Sequence, residues 1–134
     1  MIARRYRDAA EPLAAIEAVV EPRSIATLRA SARAVTVSPE VERYLVRLVR
    51  ATREHPDLRL GASPRSSVAL YRAAQAWALL DGRDFALPDD VAALAAAVLT
   101  HRLLVDVDRE LRGASPERVM AEILDQVPVG VGDA

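Results

Sequence analysis

Apolar residues recur along much of this chain at three- and four-residue intervals, the period of a helix with one buried face. Between residues 38 and 54 the series Val41, Tyr44, Leu45, Leu48, Val49 and Thr52 falls on one side, and Arg43, Arg47, Arg50 and Arg53 mostly decorate the other. Ser38-Pro39-Glu40 supplies the start of that helix: a capping hydroxyl, a proline where no backbone N–H is required, and a carboxylate facing the dipole. A second series, Val68, Leu70, Tyr71, Ala73, Ala74, Trp77, Ala78 and Leu80, surrounds most of a helix launched by Ser63 and stopped at Gly82. This pattern predicts the central and most buried helix. Narrower stripes follow, Val91, Leu94, Ala95, Val98 and Leu99 after Pro88, then Val119, Met120, Ile123, Leu124 and Val127 after Ser115-Pro116-Glu117. Both are expected to dock on it.

The N-terminal third is less regular. Leu13, Ile16, Val19 and Val20 keep helical spacing, but Glu11-Pro12 breaks the stretch from Ile2 into two short helices. A further helix begins near Pro22, with Ile25, Leu28, Ala32 and Val35 along one face, until the β-branched triplet Val35-Thr36-Val37 interrupts it. Leu103 to Val107 is expected to pair with that triplet as a minor two-stranded patch. The expectation is an all-α helical bundle with at most that patch: one domain over residues 1–128 and a frayed tail over 129–134. Composition agrees, because 51% of residues are hydrophobic and only 4% aromatic, which favours helices packed closely through small side chains.

Charge and residue usage narrow the function classes. The formal net charge is −1, so eighteen basic residues are balanced by nineteen acids and give no global field for nucleic acid. A helix-turn-helix DNA reader is disfavoured on the same ground, since the central helix lacks a basic recognition face. There is no cysteine, no apolar run of membrane-spanning length and no signal-peptide order at the N-terminus. A soluble cytoplasmic protein with no membrane partner is expected. His55 and His101 lack acids at ligand spacing, so no metal site is expected, and His101 at a helix end is read as a contact for the last carbonyls. Trp77 and Tyr71 could stack a base, but on the apolar face of a buried helix they are read as packing residues.

The most informative stretch is Gly61-Ala62-Ser63-Pro64-Arg65. Gly61 lets the chain turn sharply, Ser63 caps, Pro64 takes the first helical position, and Arg65 arrives on the first turn. A cation there opposes the helix dipole, while the free amides and a guanidinium together suit an anion, with phosphate the natural guest. On local spacing alone, pairing with a surface carboxylate accounts for Arg65 equally well.

The wider context is more specific. From Gly61 the chain reads GASPRSSVALYRAAQAWALLDGRDFALPDDVAALAAAVLTHRL, preceded by YLVRLVRATREHP from Tyr44 to Pro56. Over roughly Ser38 to Val127 it resembles the C-terminal helical lid of MoxR-type AAA+ ATPases, in which GASPR looks like the sensor 2 motif and the GRD-x-x-x-PDDV and HRL stretches recur downstream. Leu87 departs from the pattern, standing where relatives commonly place a capping Thr or Ser. The resemblance implies that Arg65 contacts the terminal phosphate of ATP, with Gly61, Ser63, Pro64 and Ser66 around the nucleotide. Arg53, on the segment leading into that loop, is read either as a solvated helix-end residue or as a second-tier residue at the interface with the ATPase core. The resemblance further implies Mg held by that core, neighbouring protomers in a hexameric ring, and chaperone-like work on partners such as von Willebrand A domain proteins.

Such an ATPase needs a phosphate loop, GxxxxGK(S/T), and this chain contains no lysine. On its own it is therefore expected not to hydrolyse ATP. Leu103 to Asp108 resembles a Walker B strand only superficially, since one strand without a phosphate loop does no chemistry. Met1 to Arg7 looks like the interior of a helix, which suggests an excised domain whose core precedes Met1. The alternative is a free-standing helical protein-interaction module that works without nucleotide.

Overall fold

The computed structural model describes residues 16–129. They contain helices α1 (Pro22–Ala34), α2 (Pro39–Glu54), α3 (Pro64–Leu80), α4 (Pro88–Leu99), the short α5 (Val107–Glu110) and α6 (Pro116–Gln126), with strands β1 (Leu58–Leu60) and β2 (Leu104–Val105). The longer helices all open on proline, where the missing N–H removes nothing from the ladder. Of the helices expected before residue 20, residues 1–15 lie outside the described range and 16–20 are non-helical. The expected tail falls outside it from residue 130.

The chain divides after Ala30 into two compact units. None of the residues of α1 is buried, and Ile25 and Leu28 of its expected apolar face are exposed. Only Val35, just past its end, joins the core. The second unit holds that core, and in α2 it buries Val41, Tyr44, Leu45, Leu48, Val49 and Thr52, the whole series set out by the helical period. From α4 it takes Val91, Ala95 and Leu99, and from α6 Val119, Met120 and Ile123. Full burial of each large apolar side chain contributes roughly 1.5–3 kcal/mol.

Two expectations about packing are corrected. The helices α2 and α4 each touch both α3 and α6, and α6 rests on α2 and α4 rather than on α3. Nor is α3 buried all round, since its inner face is the i, i+4 row Ser66, Leu70, Ala74 and Ala78, while Val68, Leu80 and Trp77 are exposed, Trp77 to 47%. A helix crowded with alanine offers several apolar faces, and the neighbours cover only one of them.

The strand pairing is also corrected. Leu104 and Val105 pair antiparallel with Leu60 and Leu58, not with residues 35–37. The triplet instead pairs with the α3–α4 connection: Thr36 N–H donates to Asp84 O at 2.8 Å and Ala86 N–H to Thr36 O at 2.9 Å. Gln75, buried on α3, fastens the same corner by donating from Nε2 to Val35 O (2.7 Å) and Arg33 O (3.2 Å).

The α3–α4 connection carries a bidentate arginine–carboxylate contact. Gly82 ends α3 with φ +74° while Arg83 N–H returns to Ala78 O at 2.8 Å, a Schellman-type stop. Arg83 then grips Asp90 with Nη1 at 2.8 Å and Nη2 at 2.7 Å, and also reaches Asp81 and Phe85 O. Asp90 Oδ2 accepts from Leu87 N–H at 2.7 Å. That bond supplies the reciprocal half of a cap whose usual hydroxyl is missing at Leu87. The fork of Arg83 holds the Asp90 carboxyl below the usual carboxylate range, outweighing the burial that would raise it, with Leu87 N–H assisting. A depressed folded-state value stabilises the fold above about pH 4, the unfolded carboxylate range, and that contribution disappears as pH falls through the folded value. Asp90→Asn should therefore cost about 2–3 kcal/mol at pH 7. Urea unfolding of both proteins should show the gap narrowing below pH 4, and a gap independent of pH would refute the ionic origin.

Candidate functional site

The loop from Leu60 to Pro64 crosses the C-terminal end of α2, and one side chain fixes it there. Thr52 is fully buried, donates from Oγ1 to Val49 O at 2.6 Å, and accepts from Ala62 N–H at 2.9 Å. The loop comes so close that a Cβ on Gly61 would collide with Thr52 O and lie 2.6 Å from Arg53 Cα. Gly61 is thus required by close approach to backbone. Its φ is not in the left-handed region, so the expected sharp turn is not the reason for glycine here.

Ser63 occupies the N-cap position of α3 with extended backbone (φ −75°, ψ 162°), and Pro64 follows in the first turn. The expected side-chain cap is absent. The Ser63 hydroxyl lies 3.4 Å from Ser66 Oγ instead, while Ser66 N–H is satisfied by Ser63 O at 2.8 Å. Ser66 is buried, so it lies beneath the site and not on its surface. By contrast Ser38 and Ser115 do cap, accepting from Val41 N–H at 3.3 Å and Arg118 N–H at 3.2 Å.

Arg65 is exposed on the first turn of α3 and makes no hydrogen bond or ion pair with any described residue. The surface carboxylate that local spacing allowed as its partner is not supplied by the described residues. Other arginines show the contrast: Arg50 pairs with Glu54, Arg118 with Glu122, and Arg83 with two aspartates.

Beside this loop lies an open cleft of about 600 Å³ lined by Arg53, Leu60, Gly61, Ala62, Ser63, Pro64, His101 and Arg102. It brings Arg53 to the same place as Gly61, Ser63 and Pro64, whereas Arg65 follows Pro64 in the chain but does not line the cleft. Arg102 was not singled out by sequence reasoning. It reaches the cleft because a 3₁₀ turn, Thr100–Arg102, extends α4 beside the start of α3, with Nη1 3.5 Å from Ser66 Oγ and Nε 3.1 Å from His101 Nε2. Its only signal in the sequence was the HRL motif. The expected contact of His101 with the last carbonyls is not formed, because that ring accepts from Arg102 instead.

The cleft can receive an anion, since two guanidinium side chains, Arg53 and Arg102, line it and no carboxylate does. Its donors suit the phosphates of a nucleotide. Among the described residues no group of three or more His, Asp or Glu side chains could hold a metal ion. His55 is engaged structurally, accepting from Asp57 N–H at 3.3 Å through Nδ1, with Nε2 3.5 Å from Glu122. Asp106 and Asp108 belong to a cap: Asp106 Oδ1 accepts Asp108 N–H at 3.0 Å at the start of α5. No helix of the described residues is long and apolar enough to cross a membrane.

Residues 50–123 match the family model of the AAA lid domain. YeaC of Bacillus subtilis, an uncharacterized protein, is 35% identical over 93% of this chain and 39% of its own length. The chaperone MoxR1 of Mycobacterium tuberculosis is 39% identical over 63% of this chain and 25% of its own. A candidate ATPase from Cytophaga hutchinsonii superposes with a TM-score of 0.81 and 28% identity over 97% of this chain and 42% of that one. The chain thus spans about two fifths or less of the proteins it matches. With the pinned GASPR loop, the GRD-to-PDDV clamp and the matched span coinciding on one helical unit, the chain belongs to the AAA lid domain family and is the helical lid of a MoxR-type AAA+ protein.

Proposed function

We propose that this lid senses ATP through Arg65, which bonds the terminal phosphate and couples its presence to the angle between lid and ATPase core. The observation that carries the reading is an exposed arginine without a partner among the described residues, set on the first turn of a helix whose entry loop is pinned to α2. A planar guanidinium can bond two phosphate oxygens at once and remains charged at every physiological pH, which lysine matches only in charge. Phosphoryl transfer depends mainly on positioning and electrostatics, so such a contact acts on hydrolysis without covalent chemistry. The phosphate loop and the ligands for Mg belong to a core that this chain does not supply. In this reading the protein works in the cytoplasm as a hexameric ring with chaperone-like action on partner proteins, including ones with von Willebrand A domains.

A spin label at Glu117→Cys, exposed at the start of α6, paired with a label on the core would report the lid angle. ATP, but not ADP, should shift the measured distance, and Arg65→Ala should abolish the shift. A shift that survives the substitution would remove Arg65 from the sensing role. Exposed Trp77 and Leu80 on α3 favour a second reading, a helical interaction module binding its partner without nucleotide. An ATP-independent lid angle would support it.

A further inference from the structure

We infer that Gln75 is a positioning residue for the nucleotide response: it ties the segment by which the chain enters the lid to the helix that carries Arg65, so that the two move as one body. The inference rests on the sensing role proposed for Arg65. Gln75 is only 3% exposed, and a buried amide is costly unless its polar atoms are bonded. Its N–H donors are spent on one segment, Nε2 donating to Val35 O at 2.7 Å and to Arg33 O at 3.2 Å, while Oε1 accepts from Arg72 Nη1 at 2.8 Å. Arg33 lies in the last turn of α1, where carbonyls have no helical N–H to take them. An apolar side chain of similar volume would fill the space without these bonds. What the amide adds is one fixed arrangement of two segments that lie 40 positions apart in the chain.

Position turns that tie into a joint. Arg65 and Gln75 stand on the same helix, about 15 Å apart along its axis, with no glycine or proline between them. A displacement of the first turn is therefore carried along α3 rather than absorbed at a kink. At the level of Gln75 the helix holds the chain just ahead of α2, the route by which a C-terminal lid is reached from its ATPase core. The same segment is also fastened from the α3–α4 connection, through Thr36 N–H to Asp84 O (2.8 Å) and Ala86 N–H to Thr36 O (2.9 Å), and Val35 is part of the core. Those hydrogen bonds join it to a loop, whereas the Gln75 bonds join it to the body of α3. Removing the Gln75 donors leaves the loop bonds and the core in place, so the fold survives while the transmission weakens.

The test is amide hydrogen exchange in the protein that carries both lid and core, with and without an ATP analogue that resists hydrolysis. In the parent the analogue should slow exchange of the Thr36 and Ala86 amides by at least about threefold. Gln75→Met fills the space without donors, and Gln75→Glu keeps an acceptor for Arg72 but turns oxygen toward both carbonyls. In either variant the analogue should still bind, and the nucleotide-dependent difference at Thr36 should disappear. Urea unfolding identifies which variant is folded, and one folded variant suffices. A merely structural role would raise exchange equally with and without the analogue and preserve the difference, which would overturn the joint. Arg65→Ala separates the two ideas: a response that survives it removes the sensing reading, whereas a response lost in Arg65→Ala and retained in a folded Gln75 variant removes the joint alone. Absence of any response at Thr36 in the parent would also overturn the joint.

Discussion

Arg65→Ala in the protein that carries both lid and core should lower ATP turnover by about two to three orders of magnitude. The magnitude follows from what arginine does in phosphoryl transfer, where charge accumulates on oxygens that a fixed planar donor pair can reach. The lid should remain folded, because the Arg65 side chain is exposed and bonds to no described residue. Unfolding midpoints for the variant and the parent should therefore agree within about 0.5 kcal/mol. Arg65→Lys should recover little turnover, since it keeps the charge and loses the fork. Turnover within threefold of the parent for Arg65→Ala would overturn the assignment, and a lowered midpoint would reveal a structural role instead.

Gly61→Ala should have the largest effect on the fold of any single methyl added near the site. The new Cβ would meet the backbone of Thr52 and Arg53, with Arg53 Cα 2.6 Å away, and a helix backbone cannot rotate aside as a side chain can. The loop must lift off α2. Lifting it breaks the 2.9 Å bond from Ala62 N–H to Thr52 Oγ1 and leaves a fully buried hydroxyl with its Val49 bond alone. Overpacking and the lost buried bond together should cost about 2–4 kcal/mol. Denaturant unfolding measures the loss, and hydrogen exchange at Ala62 should accelerate beyond what global destabilisation explains. Displacement of the loop also moves Ser63 and Pro64, so any ATP response should fail together with the fold. An unchanged midpoint with a protected Ala62 amide would show that the close approach is not obligatory.

The helices were legible because their signals are local. Proline at the first turn, serine before it in α2 and α6, and one apolar stripe per helix identified α2, α4 and α6 to within a residue or two at their starts, and every buried residue of α2 was in its stripe. The strand partner was not legible. Residues 35–37 and 58–60 are both short and apolar, and nothing within either segment says which will lie beside Leu104. Trp77 failed for a different reason: alanine makes several faces of α3 equally apolar, so the period does not state which one is covered. The Arg83–Asp90 clamp lay inside a motif that had been noted, yet its role depends on Gly82 turning the chain so that residues seven apart meet.

By itself the sequence determined an all-α chain, its proline-led helix starts and a GASPR segment that delivers an arginine to the first turn of a helix. Those features arise from interactions within one or two turns, and a local pattern suffices to specify them. The tertiary structure decided why Gly61 is glycine, which face of α3 meets its neighbours, and that Arg102 shares a cleft with Arg53 from 49 positions away in the chain. Each depends on the approach of segments distant in sequence, and that approach is set by the balance of packing over the whole core.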